Sequence, residues 1–424
     1  MALTAQIFLT IVVIQNIDTI KKREKLIDKI LNKLQGDAPT ELIFLLVGSA
    51  LILIIQKTYK YLLKQIARIK LKKELKSLKD KQQKIKVIDL ANGDPDFSNE
   101  NLFVRIVDLF GKKKSLFIDL HSTHKKILEE RETKKGFKGE QKSVFHIDQS
   151  FNHSSDFTDL ATLTKIDNLP DLIEKHRLLV GEKFINTKEG MLFNAKKFGV
   201  FNLNFTRFGE NEKPGAEIDL FETDYFTHRV FRSIYHELKE NNHEIIKVNA
   251  QNFLQYRPFF TSFGINTLLI TEGDKGKEII LSKRSIKVHT QESMYHITMN
   301  EGLSTTDKDP FDKIDLELCF KRGLLEELGV TEKLYNLSIR GSFYDFFLEF
   351  NNFEIGLTSI LEMDFNFKKD IEPLVARDKA LESSHFVAIP LKQKEISKFV
   401  KDNKFIPHGQ YVLERVLLRE NIFI

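Results

Sequence analysis

The chain has 424 residues, with 65 Lys+Arg against 60 Asp+Glu, a formal net charge of +5, 42% apolar and 29% charged side chains. That balance excludes bulk disorder, because there is ample material for packed cores, and the length suits about three domains of ordinary size. The single cysteine, Cys319, excludes an internal disulfide and any need for an oxidising compartment.

Charge is unevenly spread. Residues 1–86 carry 18 Lys+Arg and 7 Asp+Glu, whereas the rest carries 47 and 53. A basic end on a mildly acidic body excludes a body-wide DNA-binding surface, which would need its positive charge on the folded domain.

Two apolar runs lie in the basic end, Leu3 to Ile17 and Leu42 to Ile55. The second has no charged residue, and Lys57, Lys60, Tyr59 and Tyr61 can extend its usable span through Leu63 by snorkelling and interfacial placement. It reads as a transmembrane helix, with a buried core helix as the alternative. The first run, interrupted by Gln6, Gln15 and Asn16, is a weaker span and lacks a basic leader and a small-residue cleavage site, so it reads as a retained anchor. Between them Leu26, Ile27, Ile30, Leu31 and Leu34 share one helical face opposite lysines, as in an interfacial helix. Residues 57–86 hold 12 Lys+Arg, and the positive-inside rule therefore puts the body in the cytoplasm. Leu62, Ile66, Ile69, Leu75 and Leu78 suggest a helical stalk, either self-associating or a plain spacer. Residues 1–86 are thus expected to be a membrane anchor, with helices near 3–17 and 40–63.

Residues 87–254 alternate strand-like runs (VIDL, KSLFIDL, VFHID, FGVFNLNF) with helix-like ones, a mixed α/β pattern. Asp119, His121 and His124, and further on His146, Asp148 and His153, have metal-ligand chemistry, but neither cluster has a complete ligand set. From Glu217 to Leu238 strand-like alternation turns into a helix whose Phe226, Val230, Ile234 and Leu238 form a core stripe.

In residues 255–424, INTLLIT and KEIILSKRS flank the turn-forming Glu272-Gly273-Asp274-Lys275-Gly276 and predict a β-hairpin. DLELCFKRGLLEELGV predicts a helix with Leu316, Cys319, Phe320, Leu324 and Leu328 inward and Gly329 as its stop. Arg322, Glu326 and Glu327 then fall on outer or edge faces, where paired carboxylates and an arginine suit a divalent cation or a phosphate.

The segment Arg322-Gly-Leu-Leu-Glu326-Glu327-Leu-Gly-Val330 resembles the signature helix of the Nudix superfamily at eight of its nine final positions. Gly323 replaces a metal-binding glutamate, and Lys308 and Ile314 replace the upstream Gly and Glu. The resemblance implies an α/β/α Nudix-like sandwich and an overall α+β architecture. It also implies Glu326 and Glu327 as Mg²⁺ ligands, with Arg322 in support as the catalytic set of an active enzyme. Glu301 is a candidate third ligand from a neighbouring strand or loop.

A degenerate Nudix-like domain behind membrane helices is similar in domain order to the transmembrane–Nudix effectors of bacterial cyclic-oligonucleotide anti-phage signalling. That resemblance implies a cyclic nucleotide ligand made by a partner nucleotidyltransferase, ligand-induced homo-oligomerisation, contact with membrane lipid, and disruption of the inner membrane. The other implied function is a membrane-tethered Mg²⁺-dependent hydrolase of a nucleoside diphosphate derivative. Phosphates pair with Arg and Lys, and bases stack on aromatic faces. Lys283, Arg284, Phe343 and Tyr344 are the ligand-binding candidates, each equally compatible with ordinary surface or core.

Overall fold

The computed structural model describes residues 56–63, 65, 66, 69, 73, 86–90, 101–109, 115–127, 154–186, 194–285, 293–338, 340–376 and 383–421. The chain divides into two compact units, Met1–Ser77 and Leu78–Ile424. In the first, residues 56–63 are helical, and Leu62, Ile66 and Ile69 of the expected stalk are exposed. The apolar runs Leu3 to Ile17 and Leu42 to Ile55, and the amphipathic stretch between them, lie outside the described residues. Among the described residues no helix is long and apolar enough to cross a membrane.

The second unit is mixed α+β and is built around one large sheet. Its path runs β1 (Val87–Asp89), β9 (Arg340–Glu349), β10 (Glu354–Asn366), β5 (Phe263–Gly273), β6 (Gly276–Arg284) and β11 (Ser383–Pro390). The short β7 (Tyr295–Ile297) pairs with β6, and β8 (Met299–Gly302) with β5. Among the described residues only β10 and β5 run parallel in this sheet. Leu268 and Ile270 point to one face, Ile265 and Leu269 to the other, all buried. Burial on both faces explains why INTLLIT is nearly unbroken in apolar residues instead of alternating.

One face packs on α6 (Gln393–Asp402) and α7 (Pro407–Arg419), through Ile396, Tyr411, Val412 and Val416. The other face meets the helices α1 (Ser154–Thr164), α2 (Leu169–Asn186) and α3 (Tyr225–Glu240) and a three-stranded sheet. In that sheet β4 (Lys213–Asp224) lies between β2 (Leu102–Ile106) and β3 (Lys196–Phe208). Phe198, Phe231 and Phe260 share this core with Ile265, Cys319 and Leu357. The core is therefore continuous across position 254. β3 is also tied to the large sheet by backbone bonds, Val200 N–H to Phe260 O at 2.8 Å and Phe198 N–H to Leu303 O at 3.3 Å.

The expected strand-to-helix switch falls at Asp224, whose carboxylate caps α3 by accepting from Thr227 N–H at 2.7 Å. Phe226, Val230, Ile234 and Leu238 are buried. The hairpin β5–β6 stands where the sequence puts it. VFHID, with His146, Asp148 and His153, lies outside the described residues, and KSLFIDL contributes only a bridge at Ser115.

A buried ionic cluster joins three elements. Asp345 of β9, fully buried, accepts from Arg415 at 2.5 Å and Arg419 at 2.8 Å on α7, and Arg415 also donates to Asp89 of β1 at 2.8 Å. Removing one partner of a buried ion pair strands the others in low dielectric, at a cost of about 3–5 kcal/mol. Asp345→Ala is expected to lower unfolding stability by roughly that amount, read as a reduced midpoint in urea denaturation.

Candidate functional site

The site lies where two paired strands part. β5 and β6 are paired from Leu269↔Ile280 to the turn. On the other side of that point β5 pairs instead with β8, from Thr267↔Met299 to Gly264↔Gly302, and β6 with β7, from Leu281↔Ile297 to Lys283↔Tyr295. Thr298 sits at the fork: its hydroxyl donates to Ile280 O at 2.5 Å and accepts from Leu269 N–H at 2.8 Å. Below it the separated strands enclose a cavity of about 330 Å³.

Gly264 and Asn266 of β5, Asn300 and Gly302 of β8, and Ser282 and Arg284 of β6 form its walls. Lys197 of β3 and Tyr225, His228 and Arg232 of α3 also line it. The α3 residues are spaced to share one helical face, opposite none of the buried stripe but beside it. Phe347, Glu349, Glu354 and Gly356 enter from β9 and β10, His296 from β7, His408 from the first turn of α7, and Glu327 from the signature helix.

Three cations meet three carboxylates here. His228 Nε2 lies 3.0 Å from Glu354 and its Nδ1 3.1 Å from Thr261 Oγ1. Burial, then the charge of Lys197, pushes His228 down to about 4. Burial would raise Glu354, but the bond to His228 prevails and holds it below the usual carboxylate range. His296 and His408 face each other with Nε2 atoms 2.9 Å apart. Burial lowers both, His408 to about 4, so the pair is neutral, one ring donating to the other. Glu349 is raised to about 7 by burial, although it accepts from Asn351 and Asn352 N–H. Lys197 donates to Ser262 Oγ at 2.9 Å. Among the described residues neither Arg232 nor Arg284 forms an ion pair, and Arg284 Nε is buried with no hydrogen-bond partner. The cavity thus offers two uncommitted guanidinium groups, which is chemistry for an anion.

The signature helix stands at one side. α4 (Leu316–Gly323), capped by Asp315, widens into one π-helical turn at Leu324–Leu328, and Gly329, at φ +74°, ends it with its N–H on Leu325 O at 3.0 Å. Glu327 turns inward: it is 6% exposed and accepts from Asn300 N–H at 3.2 Å, where the sequence reading put it on an outer or edge face. Such a π turn is frequent at functional sites. Arg322 grips Asp307 with two bonds, of 2.7 and 2.8 Å, and reaches Glu301 at 2.8 Å, Gly302 O at 2.8 Å and Glu326 at 3.5 Å. Burial would lower its pKa, but Asp307 and Glu301 raise it above the ordinary arginine value.

The residues do not fit the Mg²⁺ site that the signature implies. Glu301, Asp307 and Glu326 converge on the Arg322 guanidinium, which takes the place of a metal as their common counter-ion. Among the described residues no group of three or more His, Cys, Asp or Glu is placed to hold a metal ion. Nor is there room for the missing glutamate: a Cβ at Gly323 would stand 2.7 Å from Glu301 Cβ and 2.7 Å from Met299 Sδ. Asp119 is bonded to Lys125 at 2.6 Å, and His121 accepts from Thr123 N–H at 3.3 Å, so that pattern is local structure.

Of the four ligand candidates only Arg284 lines the cavity. Lys283, its neighbour on a strand, points the other way and lies 5.4 Å over the Tyr295 ring. Phe343 is buried against Phe320, and Tyr344 is buried with its hydroxyl 3.3 Å from Glu420. Lys197, Arg232 and the three histidines were not found from sequence. The spacing of Tyr225, His228 and Arg232 beside an apolar stripe was the one available signal.

No protein-family model matches the chain, and no curated protein matches it. Among solved structures similar to it, a Deinococcus radiodurans protein is 12% identical over 36% of this chain and 81% of its own, with a TM-score of 0.26. The Nudix domain of Shewanella oneidensis NrtR, solved with ADP-ribose, is 13% identical over 37% of this chain and 87% of its own, with a TM-score of 0.25. A bifunctional NMN adenylyltransferase/ADP-ribose pyrophosphatase from Francisella tularensis is 15% identical over 46% of this chain and 48% of its own, with a TM-score of 0.28.

Gly323→Glu is expected to destabilise the chain by about 1–3 kcal/mol through overpacking, seen as a lower Tm, and to leave Mg²⁺-dependent phosphate release from nucleoside diphosphates at background. For pH, His228 and His408 are lowered to about 4 from 6.5, so the unfolded chain binds their protons first. Their contribution is whole above pH 6.5 and is lost as pH falls toward 4, at about 1.4 kcal/mol per pKa unit. Glu349 works oppositely, since a pKa raised to about 7 costs stability as pH rises from 4.5 to 7. Thermal unfolding of His408→Gln should show a shallower fall in Tm between pH 6.5 and 4.5, and Glu349→Gln a gain above pH 7.

Proposed function

We propose that residues 78–424 form a Nudix-like receptor domain that binds a phosphate-bearing nucleotide derivative without hydrolysing it. The carrying observation is the cavity at the fork, in which Arg232 and Arg284 form no ion pair among the described residues, while Glu301, Asp307 and Glu326 are engaged by Arg322. Phosphate oxygens pair with guanidinium groups more strongly than neutral acceptors do, and Lys197 adds a third cation. Glu327 marks where the remnant of the signature helix meets that cavity.

In the finer reading, the ligand is a cyclic oligonucleotide second messenger produced by a partner nucleotidyltransferase. Its binding drives the chain to self-associate, and residues 1–86 then disrupt the bacterial inner membrane, with the body on the cytoplasmic side. What supports it is the order of parts in the sequence, a basic segment with two apolar runs ahead of the binding domain. Ligand promotes assembly only as far as it binds the assembled form more tightly.

The full-length chain in detergent is expected to gain Tm with a cyclic dinucleotide or trinucleotide, since a ligand present at 100 times its Kd adds about 2.7 kcal/mol. Arg284→Gln should remove most of that shift. Mass should rise on adding ligand, and proteoliposomes should leak a trapped dye. Mg²⁺-dependent turnover of the nucleotide, or no shift across the panel, would overturn the receptor reading.

A further inference from the structure

We infer that the β5–β8 side of the cavity seats a planar ring that bears an amino group, its face against Gly302 and its N–H given to the Asn266 side chain. This deepens the nucleotide reading above by naming which end of the nucleotide lies there. The first observation is an unmet acceptor. Asn266 is 3% exposed; its Nδ2 donates to Gly264 O at 3.4 Å, and its Oδ1, sealed from solvent, has no hydrogen-bond partner. A buried amide oxygen is costly to leave unpaired, and Asn266 is among the residues that line the cavity.

The second observation is a glycine that the protein itself does not need. Gly356, Gly264 and Gly302 lie level on the adjacent strands β10, β5 and β8, and all three line the cavity. At Gly356 a Cβ would strike the Phe347 ring at 2.3 Å, and at Gly264 it would press on Glu301 O at 3.0 Å. At Gly302 it would meet nothing within 4 Å, and the backbone there is not left-handed. A bare strand facing open space is what close approach by a ligand requires. A flat ring uses it best, because its face lies on the peptide plane while its edge reaches the neighbouring strand. Asn266, two residues from Gly264 and so on the same face of β5, stands at that edge. Across the fork, the unpartnered Arg284 Nε calls for an acceptor. The ligand therefore presents a donor at one wall and an anion at the other, as adenine, cytosine and guanine nucleotides do. Hypoxanthine and uracil lack the exocyclic amino group.

The test is equilibrium titration of the full-length chain in detergent with cyclic di-AMP, its inosine counterpart, ADP and IDP. Each amino compound should bind about tenfold or more tightly than its inosine partner, and Asn266→Ala should bring that ratio near one. Gly302→Val should keep the ligand-free Tm and lose at least tenfold in affinity for cyclic di-AMP, which separates blocked seating from misfolding. Equal binding of amino and oxo forms, or unchanged affinity in Gly302→Val, overturns the ring assignment while leaving nucleotide binding in place. Binding of none of the four compounds overturns both.

Discussion

A single hydroxyl governs the geometry of the functional unit. Thr298, bonded to Leu269 N–H and Ile280 O, satisfies the two backbone groups exposed where β5 and β6 separate. Unpaired backbone groups at such depth would otherwise pull the strands back together. With the hydroxyl in place the strands diverge, each finding a new partner, β8 on one side and β7 on the other. The walls of the cavity that β5, β6, β7 and β8 supply follow from that divergence. A sheet that would have been a flat layer becomes a layer with an internal room, roofed by α3 and by β3 from the smaller sheet.

The same divergence explains the fate of the signature helix. β8 carries Met299 and Glu301 against Gly323, in the space a glutamate side chain would need. The helix and strand sit close together, and Glu301, Asp307 and Glu326 are drawn to Arg322. Glycine at 323 and the inward-facing Glu327 both set this helix against β8. Arginine at 322 balances charge that a divalent ion would otherwise balance, and it does so with fixed directional bonds to Asp307.

The strands and helices of residues 255–424 were legible because their signals are local. INTLLIT and KEIILSKRS are β-prone runs around a turn, Gly329 is a helix stop, and Phe226 to Leu238 keep helical period. Arg284 was legible as a cation on a hairpin. The cavity was not, because its walls are drawn from residues more than 200 positions apart, such as Lys197 and His408, and no spacing rule links them. Phe343 and Tyr344 were plausible stacking residues by type, yet both faces of their strand are covered. Pattern distinguishes a buried aromatic from an exposed one only when a strand has one wet face. Glu327 was placed outward by its charge, although it stands seven residues, two helical turns, from buried Phe320.

The three-residue strand β1 has a role out of proportion to its length. It pairs with β9 along Val87↔Glu349 to Asp89↔Phe347 and is pinned by Arg415 to the α7 cluster. It covers the sheet edge at Phe347 to Glu349: without it, that stretch of β9 would present unpaired donors and acceptors, a template for pairing with another copy. Any shortened version of the chain intended to stay monomeric must therefore keep Lys86 through Leu90, and one starting later trades a soluble edge for an adhesive one.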